Sequence, residues 1–522
     1  PQMSLLRLEA LRWLEGRMKQ AASRRIGPEH NKNIPAGYTY LAQLVIHDMV
    51  ETTQRFAAIQ GAPRQSRRSG RVEQLLLESI YGGGPTTDPL YYQSPARPVD
   101  DRRAFRLDRI RAADSDNVSA PDAVDTARDL PRGGCPFAGR PRRRRDGGQN
   151  DALVSDVRND DNVIVSQLTV LFMLLHNQVL AKLDSNPKDY ALVVPKTWSD
   201  RHAERRMRER FELARRIVTL TFRRIVFGDL LPRLLDPDVL RTFADRDFAP
   251  ADLVDGPIQS AFSHIAGRIG HAMIRQTYTI NKRLNASDGF TTVVDIVRHN
   301  STFRPEKMPL SDDWVVNWSF LFPIGENKHL NSRVIGPSFA TSIAGGSIGK
   351  VEIEHPCSPD TLIYGGLPLR DFVRGEEPGV PGINAVKSTY PAAAAASPLF
   401  RDGDLDTERI AAFLGKVAGK EATFRDEIQR DPPLLLLLLL EAIRLEPPGE
   451  WRGGERLGPL ASTIWADAVF RARARSADAI EGDEALLHAA ELVFDGEIPA
   501  DMPNLIRTVA RGEGWDARHD FI

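Results

Sequence analysis

The stretch Asn33-Ile34-Pro35-Ala36-Gly37-Tyr38-Thr39-Tyr40-Leu41-Ala42-Gln43-Leu44-Val45-Ile46-His47-Asp48 sets one histidine in an otherwise apolar run. A helix beginning near Gly37 puts Gln43 and His47 four residues apart, on one face. Most neighbours of His47 are apolar, so its ring points into the protein. A buried histidine serves packing as readily as chemistry, and the stretch alone leaves both open. The same three-to-four spacing of apolar residues recurs at Ser4 to Ala22, Thr39 to Ala58, Val163 to Leu183, Ala203 to Leu235 and Pro257 to Tyr278, and again after Thr407. Alternating strand patterns are confined to Thr277 to Asn281 and Gly349 to Glu354. The expected fold class is mainly α, with long connections and little β.

The 522 residues carry 69 Lys+Arg against 70 Asp+Glu, which excludes the basic excess of a dedicated nucleic-acid binder. Only two cysteines occur, Cys135 and Cys357, so a disulfide-rich secreted scaffold is excluded. The longest apolar run, Leu434 to Leu440, falls far short of the ~20 residues a membrane helix needs. It reads as a buried helix started by Pro432-Pro433. Pro1-Gln2-Met3-Ser4-Leu5 shows no charged region leading into an apolar one, so no secretory signal is visible; a trimmed leader stays open, and localisation is left undecided with a lean to the cytoplasm. Length alone allows about three domains. From Gly82 to Asn150 the chain is rich in Gly, Pro, Asp and Arg, including Arg142 to Arg145. So long an irregular run is either a covering loop or a domain boundary.

Two further clusters carry candidate chemistry. Asp156-Val157-Arg158-Asn159-Asp160-Asp161-Asn162 leads into an apolar helix, with Asp160 or Asp161 as its expected N-cap. Read alone, Arg158 is an ordinary surface partner. Phe262-Ser263-His264-Ile265-Ala266-Gly267-Arg268-Ile269-Gly270-His271-Ala272-Met273 places Arg268 and His271 three apart on an expected helix. Its small residues admit either a flat cofactor under His271 or a close helix neighbour.

Taken together and in order, these segments resemble the animal-type haem peroxidases of the peroxidase–cyclooxygenase superfamily, most closely the bacterial branch. The resemblance extends through Ile80-Tyr81-Gly82-Gly83-Gly84-Pro85, Arg370-Asp371-Phe372-Val373-Arg374-Gly375, Val380-Pro381-Gly382 and Gly454-Glu455-Arg456-Leu457-Gly458-Pro459-Leu460. It implies a haem cofactor. It also implies that His47 is the distal histidine, Arg158 the distal arginine, Gln43 the distal glutamine and His271 the axial iron ligand. Arg268 and Arg374 fall at propionate-side positions, and Asp371 where the family usually has an asparagine bonded to the ligand histidine. The motifs run from residue 33 to 460, so the expectation becomes one large helical haem-binding domain over 1–522, with 82–150 as a wrapping loop.

The departures shape the expectation. Covalent attachment in the family uses an aspartate just before the distal histidine and a glutamate three residues after the distal arginine. Here those positions are Ile46 and Asp161. Isoleucine forms no ester and Asp161 reaches less far, so the expected cofactor is a non-covalently held haem b. Calcium is not expected, because the loop beside Asp48 reads Gln74-Leu75-Leu76-Leu77-Glu78-Ser79 and supplies few oxygens. The implied activity is reduction of hydrogen peroxide with oxidation of a halide or a small organic donor. Fatty-acid dioxygenases of the same superfamily are the alternative. They carry a radical tyrosine three residues before the proximal histidine, where this chain has Arg268. A catalytically silent helical binding or scaffold protein is the third reading.

Overall fold

The computed structural model describes residues 3–21, 30–50, 74–93, 103–111, 127–133, 151–190, 200–253, 257–285, 289–325, 327–346, 348, 351–355, 358–446, 450–515 and 521. The helices that position the site are α1 (Leu5–Ala21), α2 (Gly37–Met49), α3 (Val163–Ser185), α4 (Asp200–Ile225), α5 (Gly270–Met273), α6 (Leu367–Gly375), α7 (Leu434–Glu441) and α8 (Pro459–Ala474). The fold is mainly α. Every sheet among the described residues is a two-stranded antiparallel ribbon, the longest pairing β1 (Val351–His355) with β2 (Ser358–Gly365). One contiguous apolar cluster runs from Leu8 to Phe521.

Local chemistry explains the helix starts. Asn31 Oδ1 accepts the amides of Asn33 and Ile34, turning the chain toward α2. At Gly37 a Cβ would lie 2.4 Å from the Phe322 ring, so only glycine lets that ring cover the start of α2. Asn162 caps α3 by accepting the amides of Ile164 and Val165. This corrects the expectation of Asp160 or Asp161 as cap. Asp160 is instead drawn into an ion pair with Arg132 at 2.9 Å.

Helix α3 is also long and apolar enough to cross a membrane, with a mean hydropathy of 1.7, unlike the sequence expectation that no segment is. Of that window 89% is buried inside the protein, as in a core helix. It packs between α2 and α4. Helix α7, the leucine run, is wholly buried and starts after Pro433 as its sequence suggests.

The expected helix over Pro257 to Tyr278 is broken. It comprises a helix to His264, a tight 3-10 turn at Ala266–Arg268, the short α5, and a strand at Thr277–Tyr278. Ile265 leaves helical geometry at φ −128° and ψ −70°. The indole N–H of Trp465 on α8 donates to the Ala266 carbonyl at 2.9 Å, an oxygen that also accepts the Ile269 amide at 3.2 Å within the turn. Arg268 and His271 therefore sit on separate short elements.

Parts of the 82–150 segment fold into the body. Arg132 is gripped by both oxygens of Asp129 and by Asp160, and all three are buried. The Asp129 carboxylate also accepts the Leu310 amide. Residues 94–102, 112–126 and 134–150, with Cys135 and Arg142 to Arg145, lie outside the described residues, as do Cys357 and 51–58 of the helix expected over Thr39 to Ala58.

Candidate active site

Two histidine clusters form on neighbouring elements. The first hangs on α2. Asn159 Nδ2 donates to the Ser79 carbonyl at 3.0 Å, which turns its Oδ1 toward His47 Nδ1 at 2.9 Å. His47 Nδ1 must then carry the proton and Nε2 the lone pair. Asn162 Nδ2 donates to Gln43 Oε1 at 3.2 Å, and Gln43 Nε2 faces His47 Nε2 across 3.4 Å. Glutamine and histidine share a helix face, as their spacing requires.

Arg158 anchors this cluster from below. Its Nη2 donates to the His47 carbonyl at 3.0 Å and the Val50 carbonyl at 2.5 Å, closing the C-terminal end of α2. Asp156 takes its Nε and Nη2. Burial and the nearby Arg158 charge hold the His47 imidazole down to about 4, with Asp156 and Asn159 opposing. The ring is neutral over the whole physiological range.

The second cluster joins α5 to α6. His271 on α5 bonds through Nδ1 to Asp371 Oδ2 on α6 at 2.6 Å. Asp371 is fully buried, whereas the His271 side chain is 24% exposed. Its Nε2 has no partner among the described residues. Arg268 Nη1 lies 3.6 Å from the other Asp371 oxygen, so its charge is directed at that carboxylate. A Cβ on Gly270 would meet nothing within 4 Å, leaving open space beside the histidine.

The elements that carry the two clusters touch. Ile46, next to His47, comes within 3.7 Å of where a Gly267 Cβ would stand. Asp161 is closely surrounded by protein atoms while its side chain still reaches solvent. Burial carries its carboxyl up to about 7, while Arg158 from one side and Arg370 from the other pull it down. Arg374 is half-buried one turn beyond Arg370 on α6. Asn159, Asp156, Asn162 and Arg370 complete the arrangement without having been singled out from sequence. All but Arg370 belong to the segment around Arg158, and Arg370 directly precedes Asp371. Asp48 turns aside, its two oxygens accepting the Leu77 and Ser79 amides. Among the described residues no group of three or more His, Cys, Asp or Glu is placed to hold a metal ion.

The family model of animal haem peroxidase matches residues 123–319, a span that includes Arg158, Asp161, Arg268 and His271. No curated protein matches the chain in sequence. Peroxidase A from Dictyostelium discoideum is 12% identical, covering 94% of this chain and 87% of its own, at a TM-score of 0.52. Fatty acid alpha-dioxygenase from Oryza sativa is 12% identical over 92% of this chain and 76% of its own, at 0.47. The first likeness establishes the fold; the second adds no weight. The family match over residues 123–319 and the shared helical fold make the chain similar to the peroxidase–cyclooxygenase superfamily.

The residues present fit the haem that the family implies. His271 has one nitrogen fixed by a carboxylate and the other free on an accessible edge, the donor set of an axial ligand. The Arg370 Nε is buried without a hydrogen-bond partner beside Asp371 in sequence.

Proposed function

We propose that the chain, read as a single domain over 1–522, is a haem-dependent peroxidase. It reduces hydrogen peroxide and oxidises a halide or a small organic donor. The observation that carries this reading is the pair of histidines on touching elements, His47 pinned through Nδ1 by Asn159 and His271 through Nδ1 by Asp371. His271 would hold the iron of a haem b, with Arg370 and Arg374 on its propionate side. Bound there, the haem supplies the redox electrons and the iron that binds peroxide.

The chain's own residues handle the proton. A neutral His47 accepts it from the near oxygen of hydrogen peroxide and returns it to the departing oxygen, which leaves as water. General acid–base transfer of this kind contributes ~10² to 10⁴ in rate. Asn159 holds the tautomer that this requires. Arg158, at the distal-arginine position, would stabilise the negative charge that develops as the O–O bond breaks, once its guanidinium turns from Asp156 and the His47 and Val50 carbonyls that hold it here. Gln43 keeps a donor at the same point. Ile46 fills the family's attachment position with a hydrocarbon, and the Asp161 carboxyl is the short one of the pair, so the haem is held without covalent bonds.

The dioxygenase reading lacks its tyrosine at Arg268, whose guanidinium is turned to Asp371. The test uses the haem-supplemented full chain. Peroxide-dependent oxidation of guaiacol or iodide is expected in wild type and lost in His47→Ala. Oxygen uptake with a polyunsaturated fatty acid, in place of donor oxidation, would install the dioxygenase instead. Loss of both, with no absorption change on haem addition, would leave the scaffold. Acid-acetone is expected to extract all the haem, and haem retained on the polypeptide overturns the non-covalent assignment.

A further inference from the structure

Helix α1 lies outside the segments that mark the family, yet it grips α6 at both ends. At the start of α6, Glu15 Oε1 accepts the Gly366 amide at 2.8 Å, and the Leu369 amide also bonds to this carboxylate. Gly366 offers no side-chain cap of its own, and Pro368 brings no N–H. The first-turn donors of α6 are therefore satisfied from 351 residues away in sequence. The fit is close. A Cβ on Gly366 would stand 2.1 Å from the Ile343 carbonyl and 2.8 Å from Glu15 Oε1, and one on Gly365 would stand 2.9 Å from Glu15 Oε2.

Eight residues earlier on α1, Arg7 closes the other end. Its Nη2 pairs with Glu376, the C-cap of α6, at 2.5 Å, and its Nη1 donates to the Asp431 carbonyl at 2.6 Å. Glu15 is 5% exposed and Arg7 6%. The two contacts run antiparallel along nine residues of helix, and Asp371 lies between them. Burial pushes the Glu15 carboxyl up to about 7 against the pull of those amides, so an uncompensated cost of burial is borne at this spot.

We propose that Glu15, with Arg7, is a positioning residue for the proximal couple, fixing the register of α6 so that Asp371 meets His271 Nδ1. This rests on the haem-peroxidase reading for its functional meaning, though not for its geometry. A one-residue slip or a tilt of a nine-residue helix moves a side chain by more than a 2.6 Å bond tolerates. A residue held by a supporting contact of this kind acts through the ligand it orients.

The test measures the Fe(III)/Fe(II) midpoint potential of the haem-loaded full chain in wild type, Glu15→Ala, Glu15→Gln and Arg7→Met. Each is also made in an Asp371→Asn background. An upward shift is expected for Glu15→Ala and Arg7→Met, reversed in Glu15→Gln, whose amide oxygen still accepts from Gly366. In the Asp371→Asn background the same changes should leave the potential unmoved, because the group through which they act is gone. A lower melting temperature without a shift in potential, or a shift that persists beside Asp371→Asn, overturns the proposal. The hydrogen-bonded Nδ1 proton of His271, followed by NMR in the chain without haem and assigned by its loss in His271→Ala, gives a second readout. Its resonance should move upfield in Glu15→Ala, and an unmoved resonance overturns the proposal even if the chain takes up no haem. Failure to take up haem at all refutes the peroxidase reading separately.

Discussion

Asp371 accepts a 2.6 Å hydrogen bond from His271 Nδ1 while being shut off from solvent. Burial pushes its carboxyl up, but His271, Arg268 and Arg370 together hold it below the ordinary carboxylate value. The group is therefore an anion at neutral pH, lending imidazolate character to the ring opposite. Asp371→Asn keeps an acceptor and removes the charge. Spectroelectrochemical titration of the haem-loaded variant should give a higher Fe(III)/Fe(II) potential than wild type. An equal or lower one contradicts the role given to this carboxylate.

Asn159 is the tautomer lock on His47. Asn159→Leu strips partners from His47 Nδ1 and the Ser79 carbonyl, both buried, and should cost about 1–3 kcal/mol in urea unfolding. The rate of the peroxide-driven absorption change should fall by ~10-fold or more, toward the ~10² to 10⁴ of losing a general base. Wild-type rates in a folded, haem-loaded Asn159→Leu would show that the lock is unnecessary.

Acid should weaken the fold through its buried histidines. Burial and Arg158 hold His47 down to about 4; burial, aided by Arg215, does the same for His176. Unfolded, each titrates near 6.5, so between pH 6.5 and 4 the unfolded chain binds more protons. Stability from these rings is full above 6.5 and is lost as pH falls, by up to about 1.4 kcal/mol per pH unit for each. Glu15, Glu441 and Asp161, raised to about 7, carry the opposite sign, favouring the fold at low pH and losing that as pH rises to 7. His176→Phe isolates one ring. Its urea midpoint should fall less steeply from pH 6.5 to 4 than that of wild type, and an unchanged slope refutes a neutral His176.

The Asp129–Arg132–Asp160 cluster ties residues 127–133 to the turn that carries Arg158. Arg132→Met leaves two buried carboxylates without their cation and should cost about 3–5 kcal/mol. A loss below ~1 kcal/mol in chemical unfolding would mean the cluster is not a closed ion network.

Much of this was legible in sequence because it is local. Helices α1 and α3 follow from apolar spacing, and the motif order singled out His47, Arg158 and His271 as candidates. The helix expected through Pro257 to Tyr278 breaks at Ile265, and the turn that follows is braced by Trp465, about two hundred residues away, through the Ala266 carbonyl. Apolar spacing on either side of Ile265 hides that break. The N-cap of α3 fell to Asn162 because Arg132, from another segment, recruits Asp160. Glu15 is beyond any local pattern: its partner is 351 residues distant, and only the packed helices bring them together.

The central claim is that His271 Nε2 receives a haem iron while His47 works opposite it. The most direct measurement is the absorption spectrum of the purified chain titrated with haemin, for wild type and His271→Ala, before and after hydrogen peroxide. Wild type should show a saturable Soret band at one haem per chain that changes on peroxide addition, and His271→Ala should lose that band or the change. No saturable band in wild type, or an identical response in His271→Ala, would contradict it.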